Sequence, residues 1–386
     1  MKQFCVSLFV LNHVLIIFCL GSVLLSCDLL ENQDPGQVSR VERHPAKISK
    51  IQLGNHDFFP GEYSDKGVIG NKLPGTWRPF SDDSLWNTPI PAEALTHPDS
   101  QKIIAFTCEH ARNIRLARKY VSPVWVVNSD NLPLVKVRSD RIFATWDKNR
   151  DGWTDIGVPI TETMWAEPTA DGHLCIIDPL KKISWELSRY RPASDHDFPR
   201  CTTFNIWDLT KKGLGDPFYR GWRRQTRGGR GSGFPIIAGL LRPEELESGE
   251  VHHALVFTFP YNRVLESGAE IFLPPACRSD GGSAGGHFPV EGMLFQLAPG
   301  LGEKDFESWG LSREGRIVAR TLQKYGMFLC DNGGAMALQV QLLAPSAREH
   351  RSRWEELLPG FYKNVEKIPV DKFRVVYTGE PIITGE

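Results

Sequence analysis

The sequence predicts a mostly β fold, a β-sandwich or jelly-roll-like single large domain with a few short helices. Three observations lead there. The 386 residues include 35 Gly, 27 Pro, 11 Trp and 21 Phe, a mixture that favours short strands joined by tight turns over long helices. Apolar residues alternate with period two, as in the stretch 251–259: His253, Leu255, Phe257 and Phe259 share one face, and His252, Ala254, Val256 and Thr258 share the other. Helical signals are few and closely bracketed by start and stop residues. With 41% hydrophobic residues the chain can bury a large core. A formal net charge of -1 leaves no overall footprint for nucleic acid, so no nucleic-acid partner is expected.

Residues 1–27 read as a signal segment. Lys2 is the only early charge, and the run from Phe4 to Leu25 is almost wholly apolar, which matches a short positive region followed by a hydrophobic one. Leu24, Leu25, Ser26 and Cys27 resemble the bacterial lipoprotein signal, in which the cysteine is lipidated and becomes the mature N-terminus. Asp28 resembles the inner-membrane retention signal of enterobacterial lipoproteins. The competing reading is an uncleaved anchor, since about 20 apolar residues span a bilayer. Either way the rest of the chain is expected outside the cytoplasm, in the cell envelope, held to the membrane through Cys27. Residues 28–55 are polar and without periodicity, a tether ahead of a β-rich globular domain at 56–386.

Within that domain an irregular lead-in begins near Thr76, and a helix is expected at 98–112 with Ile103, Ile104, Thr107 and Ala111 on one side. Strands are expected at 121–128, 132–137, 141–146, 173–178 and 183–188. The stretch 229–260 carries the densest signals: an Arg- and Gly-rich loop, an apolar run at 235–241, then PEELES between Pro243 and Gly249, a short helix with Pro in its first turn and Gly at its exit. A further helix is expected at 312–325, capped by Ser312 and ended by Gly326. Residues 327–330 and 335–343 flank Asp331, Asn332, Gly333 and Gly334, a hairpin signal. Beyond the signal segment lie Cys108, Cys175, Cys201, Cys277 and Cys330. That odd number allows two disulfides and a spare thiol, or five buried free thiols.

WNTPIPAEA (86–94), DGHLCIIDP (171–179), GFPIIAGLLRPEEL with HHAL (233–254) and YGMFLCDNG (325–333) resemble the ordered motifs of a family of secreted bacterial proteins of unassigned activity. The resemblance covers roughly 300 residues and implies an extracytoplasmic β-rich domain, without a mechanism.

Four clusters could carry chemistry. His173 sits at a strand end flanked by Asp171 and Asp178, where a scaffold presents side chains to a cleft as base or ligand, or as a structural turn residue. DKNRDGWTD (147–155) matches the first half of a calcium loop, with oxygen donors from Asp147, Asn149, Asp151 and Asp155 and Gly152 at the turn, but Val158 stands where a bidentate Glu belongs. Calcium is the expected ligand if the loop is more than a polar turn. RGWRRQTRGGR (220–230) suggests a clamp for acidic sugar, with Arg223, Arg227 and Arg230 binding carboxylate and Trp222 covering a ring, against the alternative of a solvated loop. The GxSxG at 281–285 lacks the strand and helix a nucleophile elbow requires.

The expected function is therefore an extracytoplasmic lipoprotein acting on polysaccharide, a lyase on a uronic-acid glycan. His173 or His253 would be the base, Tyr325 the acid, Asp331 an orienting group, and the arginines would neutralise the substrate carboxylate. This reading requires His173, His253 and Tyr325 to converge in one cleft with at least two arginines. The alternatives are a glycoside hydrolase using Asp171, Asp178 or Glu245, and a non-catalytic surface lipoprotein that binds glycan or protein.

Overall fold

A computed structural model describes residues 67–139, 151–194, 198–215 and 228–384. The signal segment 1–27, the tether 28–55, the strand expected at 141–146, and Asp147, Asn149, Trp222, Arg223 and Arg227 lie outside the described residues. Strands outnumber helices, as the composition requires. In chain order the strands of the two large sheets are β1 (Val68–Gly70), β2 (Arg115–Leu116), β3 (Val124–Val127), β4 (Leu174–Asp178), β5 (Ile183–Ser188), β6 (Thr203–Asp208), β7 (Leu255–Phe259), β8 (Leu294–Leu297), β9 (Met327–Asn332), β10 (Ala337–Leu338) and β11 (Phe373–Val376). The first sheet runs β1-β3-β4-β5-β6, and the second runs β11-β8-β9-β7-β10-β2. Both are mixed: β3 and β4, β9 and β7, and β10 and β2 pair in parallel.

Alternation along these strands builds a layered core. Val124 and Val126 of β3 and Cys175 and Ile177 of β4 pack into the same cluster as Val256, Leu294, Phe328, Cys330 and Val376 of the second sheet. The buried segment 234–240 lies within that cluster, contributing Phe234, Ile236, Ile237, Ala238 and Leu240. The opposite face of the first sheet packs Leu174, Ile176, Trp185 and Leu187 into an outer cluster. The opposite face of the second sheet packs Leu255, Phe257, Phe259, Phe295 and Leu329 against the helices. Each fully buried residue of this size contributes about 1.5–3 kcal/mol, so these layers dominate stability.

The helices follow their signals closely. α1 (Ser100–His110) buries Ile103, Ile104 and Thr107. α2 (Pro243–Ser248) starts with Pro243 and ends at Gly249, whose φ of 94° is the left-handed exit that glycine tolerates best. α3 (Glu303–Ser308) leads into α4 (Arg313–Lys324), where the Ser312 hydroxyl accepts from Gly315 N and Gly326 turns the chain at φ 72°. α5 (Ala347–Leu357) and α6 (Phe361–Val365) complete the set. Among the described residues no helix is long and apolar enough to cross a membrane.

Two expectations need correction. The DNGG turn does not close a hairpin: β9 and β10 are neighbours in sequence, but β7 lies between them, parallel to β9 and antiparallel to β10. β7 has every reason to occupy that place, because its alternate side chains are apolar on both faces and only a central strand buries both. Residues 132–137 form no strand. They make a single bridge, Val135 to Val158, while Arg138–Ser139 forms a short separate strand. No disulfide joins the five described cysteines of the domain, four of which are buried.

Candidate functional site

A cavity of about 430 Å³ opens where β2, β7, β9 and β10 of the second sheet meet the start of β4 and the loop 229–231. That is a size suited to a small ligand or a sugar subsite. Asp171, His173, Arg230, Asp331 and Gln339 form its polar wall, and Arg115, Arg118, Lys119 and Tyr120 supply exposed side chains at its rim. Tyr120 holds φ 57°, a costly conformation for a tyrosine, on the segment that follows β2.

Asp331 reaches the wall through a break in strand phase. Strict alternation would set it beside Met327 and Leu329 against the helices. The register of β9 against β7 instead slips between Leu329 and Asp331, so Asp331 pairs with Thr258 on the face that carries Val256. Gly231 N donates to its Oδ2 at 2.9 Å. Burial, and then the negative charge of Asp280 beside it, hold the Asp331 carboxyl well above the usual carboxylate range. Asp280 N donates to Glu291 Oε2 at 3.4 Å, and Glu291 is raised by burial first and by Asp280 second. Asn332 fixes Asp280 from the far side, donating Nδ2 to its carboxylate at 3.1 Å.

Arg230 is buried in the wall, yet most of its donors are spent on the protein. Its Nη2 donates to Ile236 O at 2.7 Å, its Nε to Pro235 O at 3.4 Å, and its Nη1 lies 3.9 Å from Cys330 Sγ. Gln339 brings the opposite condition: its buried Oε1 finds no hydrogen-bond partner while the residue lines the cavity. Behind the wall stands Glu167. One of its carboxylate oxygens, one from Asp171 and a ring nitrogen of His173 all lie within 4.8 Å of one another, the described group whose donors suit a metal ion. Burial, followed by the charge of Arg230, depresses the His173 imidazole to about 3. A base that weak transfers protons poorly near neutrality.

The other expected site residues separate, and the convergence of His173, His253 and Tyr325 in one cleft that the histidine-based reading requires does not occur. His253 does not line the cavity. Its Nε2 lies 2.8 Å from Glu245 Oε1 and its Nδ1 2.9 Å from Ala254 O, all buried. Glu245 also takes Arg242 Nη2 at 2.7 Å and Arg242 N at 2.9 Å. Burial pushes the Glu245 carboxyl up, but Arg242 and His253 outweigh it and hold it below its ordinary value. Tyr325 is also absent from the cavity wall, buried between the sheets with Lys324 Nζ 5.2 Å from its ring centre. Asp178 is structural, taking Ser129 N, Ser129 Oγ, Leu180 N and Lys181 N. In the calcium-like loop the described part shows Asp151 Oδ1 accepting from Trp153 N at 2.9 Å.

Sequence reasoning missed Asp280, Tyr120, Glu167 and Gln339, and the rim cations Arg115, Arg118 and Lys119. Asp280 sits in RSDGG, where only its place before two glycines marks it, and Glu167 carries no local signal at all. The chain matches no family model, no curated protein and no solved structure in the comparisons made with each.

Proposed function

We propose that the protein is an extracytoplasmic, lipid-anchored enzyme that acts on a uronic-acid polysaccharide by β-elimination at this cavity. The observation that carries the reading is Asp331: a hydrogen-bonded carboxyl of raised basicity, set in a cavity wall that faces the cationic rim of Arg115, Arg118 and Lys119. A cationic rim neutralises the carboxylate of the sugar and so acidifies the proton next to it. The Asp331 carboxylate takes that proton. The electron pair forms a carbon–carbon double bond as the bond to the leaving oxygen breaks, and the Tyr120 phenol gives that oxygen its proton. Gln339 Oε1 offers an acceptor to a sugar hydroxyl.

Relative to the expected residues, Asp331 takes over from the histidines as base and Tyr120 from Tyr325 as acid. The mixed pairing of both sheets favours a sandwich-like layering around 234–240 over a jelly roll, whose strands would all be antiparallel.

Incubation with a panel of uronic-acid and neutral polysaccharides tests the reading. New ultraviolet absorbance from unsaturated ends is the expected result, abolished in Asp331→Asn. Reducing ends without that absorbance would replace the lyase with a hydrolase, and retention without either product would leave a glycan-binding lipoprotein. Cys27→Ala tests the anchor separately: it should block lipoprotein processing and leave a larger species, and unchanged size with unchanged lipid labelling would end that part.

A further inference from the structure

We infer that Glu167, Asp171 and His173 form a binding site for a divalent first-row transition-metal ion of the manganese or zinc type. The argument begins with a side chain that has nothing to do. Glu167 is buried, 4% exposed, and its Oε2 makes no hydrogen bond. Its other oxygen takes the Thr169 hydroxyl at 2.5 Å, and the backbone amides of His173 and Tyr120 lie near enough to check the rise that burial causes. A buried, unpaired carboxylate oxygen loses its hydration with nothing in return, so a fold retains one where something outside the chain completes it.

What Oε2 faces is a second ligand. It lies 4.0 Å from His173 Nδ1, too far for a hydrogen bond and close to the span of two ligands bound to one ion. Zinc-type ions hold nitrogen and oxygen at about 2.1 Å in tetrahedral geometry, which puts any two ligands about 3.4 Å apart. The third donor, from Asp171, keeps the whole set within 4.8 Å, so closing on an ion brings the widest pair together by about 1.4 Å, within reach of side-chain rotation at half-buried Asp171. The frame that carries the three is stiff: Glu167 N bonds His173 O at 2.9 Å, Arg189 N bonds Asp171 O at 2.6 Å, and Tyr190 N bonds Gly172 O at 3.0 Å. The imidazole is further held by a hydrogen bond to the Gly229 backbone, the outer partner that a metal-binding histidine ordinarily has.

Donor chemistry selects the ion. One imidazole and two carboxylates suit manganese, iron or zinc, whereas calcium and magnesium prefer oxygen throughout. Two carboxylates also outweigh the nearby charge of Arg230, whose donors point at Ile236 O and Pro235 O. Asp171 and His173 belong to the cavity wall and Glu167 does not, so the open coordination positions face the cavity. If the elimination reading holds, those positions fit a carboxylate oxygen of the sugar. The binding site itself does not rest on that reading.

The test is a calorimetric titration of the chelator-stripped full chain with manganese, zinc and calcium chlorides, without substrate. One equivalent of manganese or zinc should bind, at least tenfold more weakly in Glu167→Gln and in Asp171→Asn. X-ray absorption at the zinc edge should show a mixed nitrogen and oxygen shell. Asp171 is only half-buried, so Asp171→Asn keeps the test valid if Glu167→Gln fails to fold. Absence of manganese and zinc binding, or binding that both variants leave unchanged, overturns the site. So does binding removed by Asp151→Ala alone, which would assign the ion to the loop 147–155. Because no turnover is measured, failure here leaves the acid–base reading standing.

Discussion

The chain buries the same kinds of side chain in two places and treats them in opposite ways. Around α2, Arg242, Glu245 and His253 are sealed between the loop at 73–77 and β7, and every oxygen of Glu245 has a partner. At the cavity, Asp331, His173, Arg230 and Glu167 are nearly as deep, yet Glu167 Oε2 and Gln339 Oε1 lack partners and Asp331 shares its surroundings with another acid. Opposite charges brought together lower a carboxyl's affinity for protons, and like charges brought together raise it. The first arrangement holds the fold at one place. The second stores unmet bonding capacity, which is the condition for binding something else.

The comparison breaks most visibly if the sealed cluster is opened. Glu245→Gln strips Arg242 and His253 of their counter-charge inside the core and should cost about 3–5 kcal/mol, read as a lower denaturant midpoint. A loss under about 1 kcal/mol would mean that the cluster is no more than an exposed ion pair in its worth. Asp331→Asn should do the reverse, leaving the midpoint within about 1 kcal/mol while lowering polysaccharide turnover by at least about 100-fold. Equal losses of stability in the two variants would erase the distinction.

The two carboxyls also predict pH slopes of opposite sign. Folded Asp331 holds its proton more tightly than the unfolded chain does. From the ordinary carboxylate value, about 4, up to its raised folded value, the native state binds more protons and stability falls as pH rises. Glu245, held low, stabilises above its ordinary value, and that contribution is lost as pH falls through its folded value. Burial raises Glu167 and Glu186 as well, so denaturant midpoints across pH should decline toward neutrality less steeply in Asp331→Asn than in the parent. A slope identical to the parent's would remove the raised carboxyl from the account.

A smaller effect sharpens the same contrast. A Cβ at Gly231 would meet Asp280 Oδ1 at 2.5 Å, so Gly231→Ala should push Asp280 away from Asp331 and reduce turnover about tenfold. The expected stability change is about 1 kcal/mol. Unchanged turnover would show that Asp331 works without its neighbour.

Much of the frame was legible because its causes are local. The alternation at 183–188 and 251–259, the Pro243 start and Gly249 exit of α2, and the Ser312 cap of α4 all act within a few residues, and each expected element formed, the strand at 251–259 only from Leu255 onward. His173, Arg230 and Asp331 were legible as polar residues at element ends, and all three line the cavity. His253 was read as a candidate because a histidine on an apolar face is unusual. What satisfies it is Glu245, one helix away, and sequence spacing gives no sign that the two side chains meet.

By itself the sequence determined the β-rich class, the bounds of α1, α2 and α4 to within about two residues, and the chemistry available at strand ends, since propensity, capping and alternation are properties of short segments; α3, α5 and α6 went unread. Tertiary structure alone decided that β7 separates β9 from β10, because only a central position buries both faces of a strand as apolar as Leu255–Phe259. It likewise decided that a slipped register turns Asp331 toward Asp280, and that Glu167 stands behind His173. These are contacts between segments distant in the chain or displaced by one residue in phase, and their energy comes from burial and charge that no single segment contains.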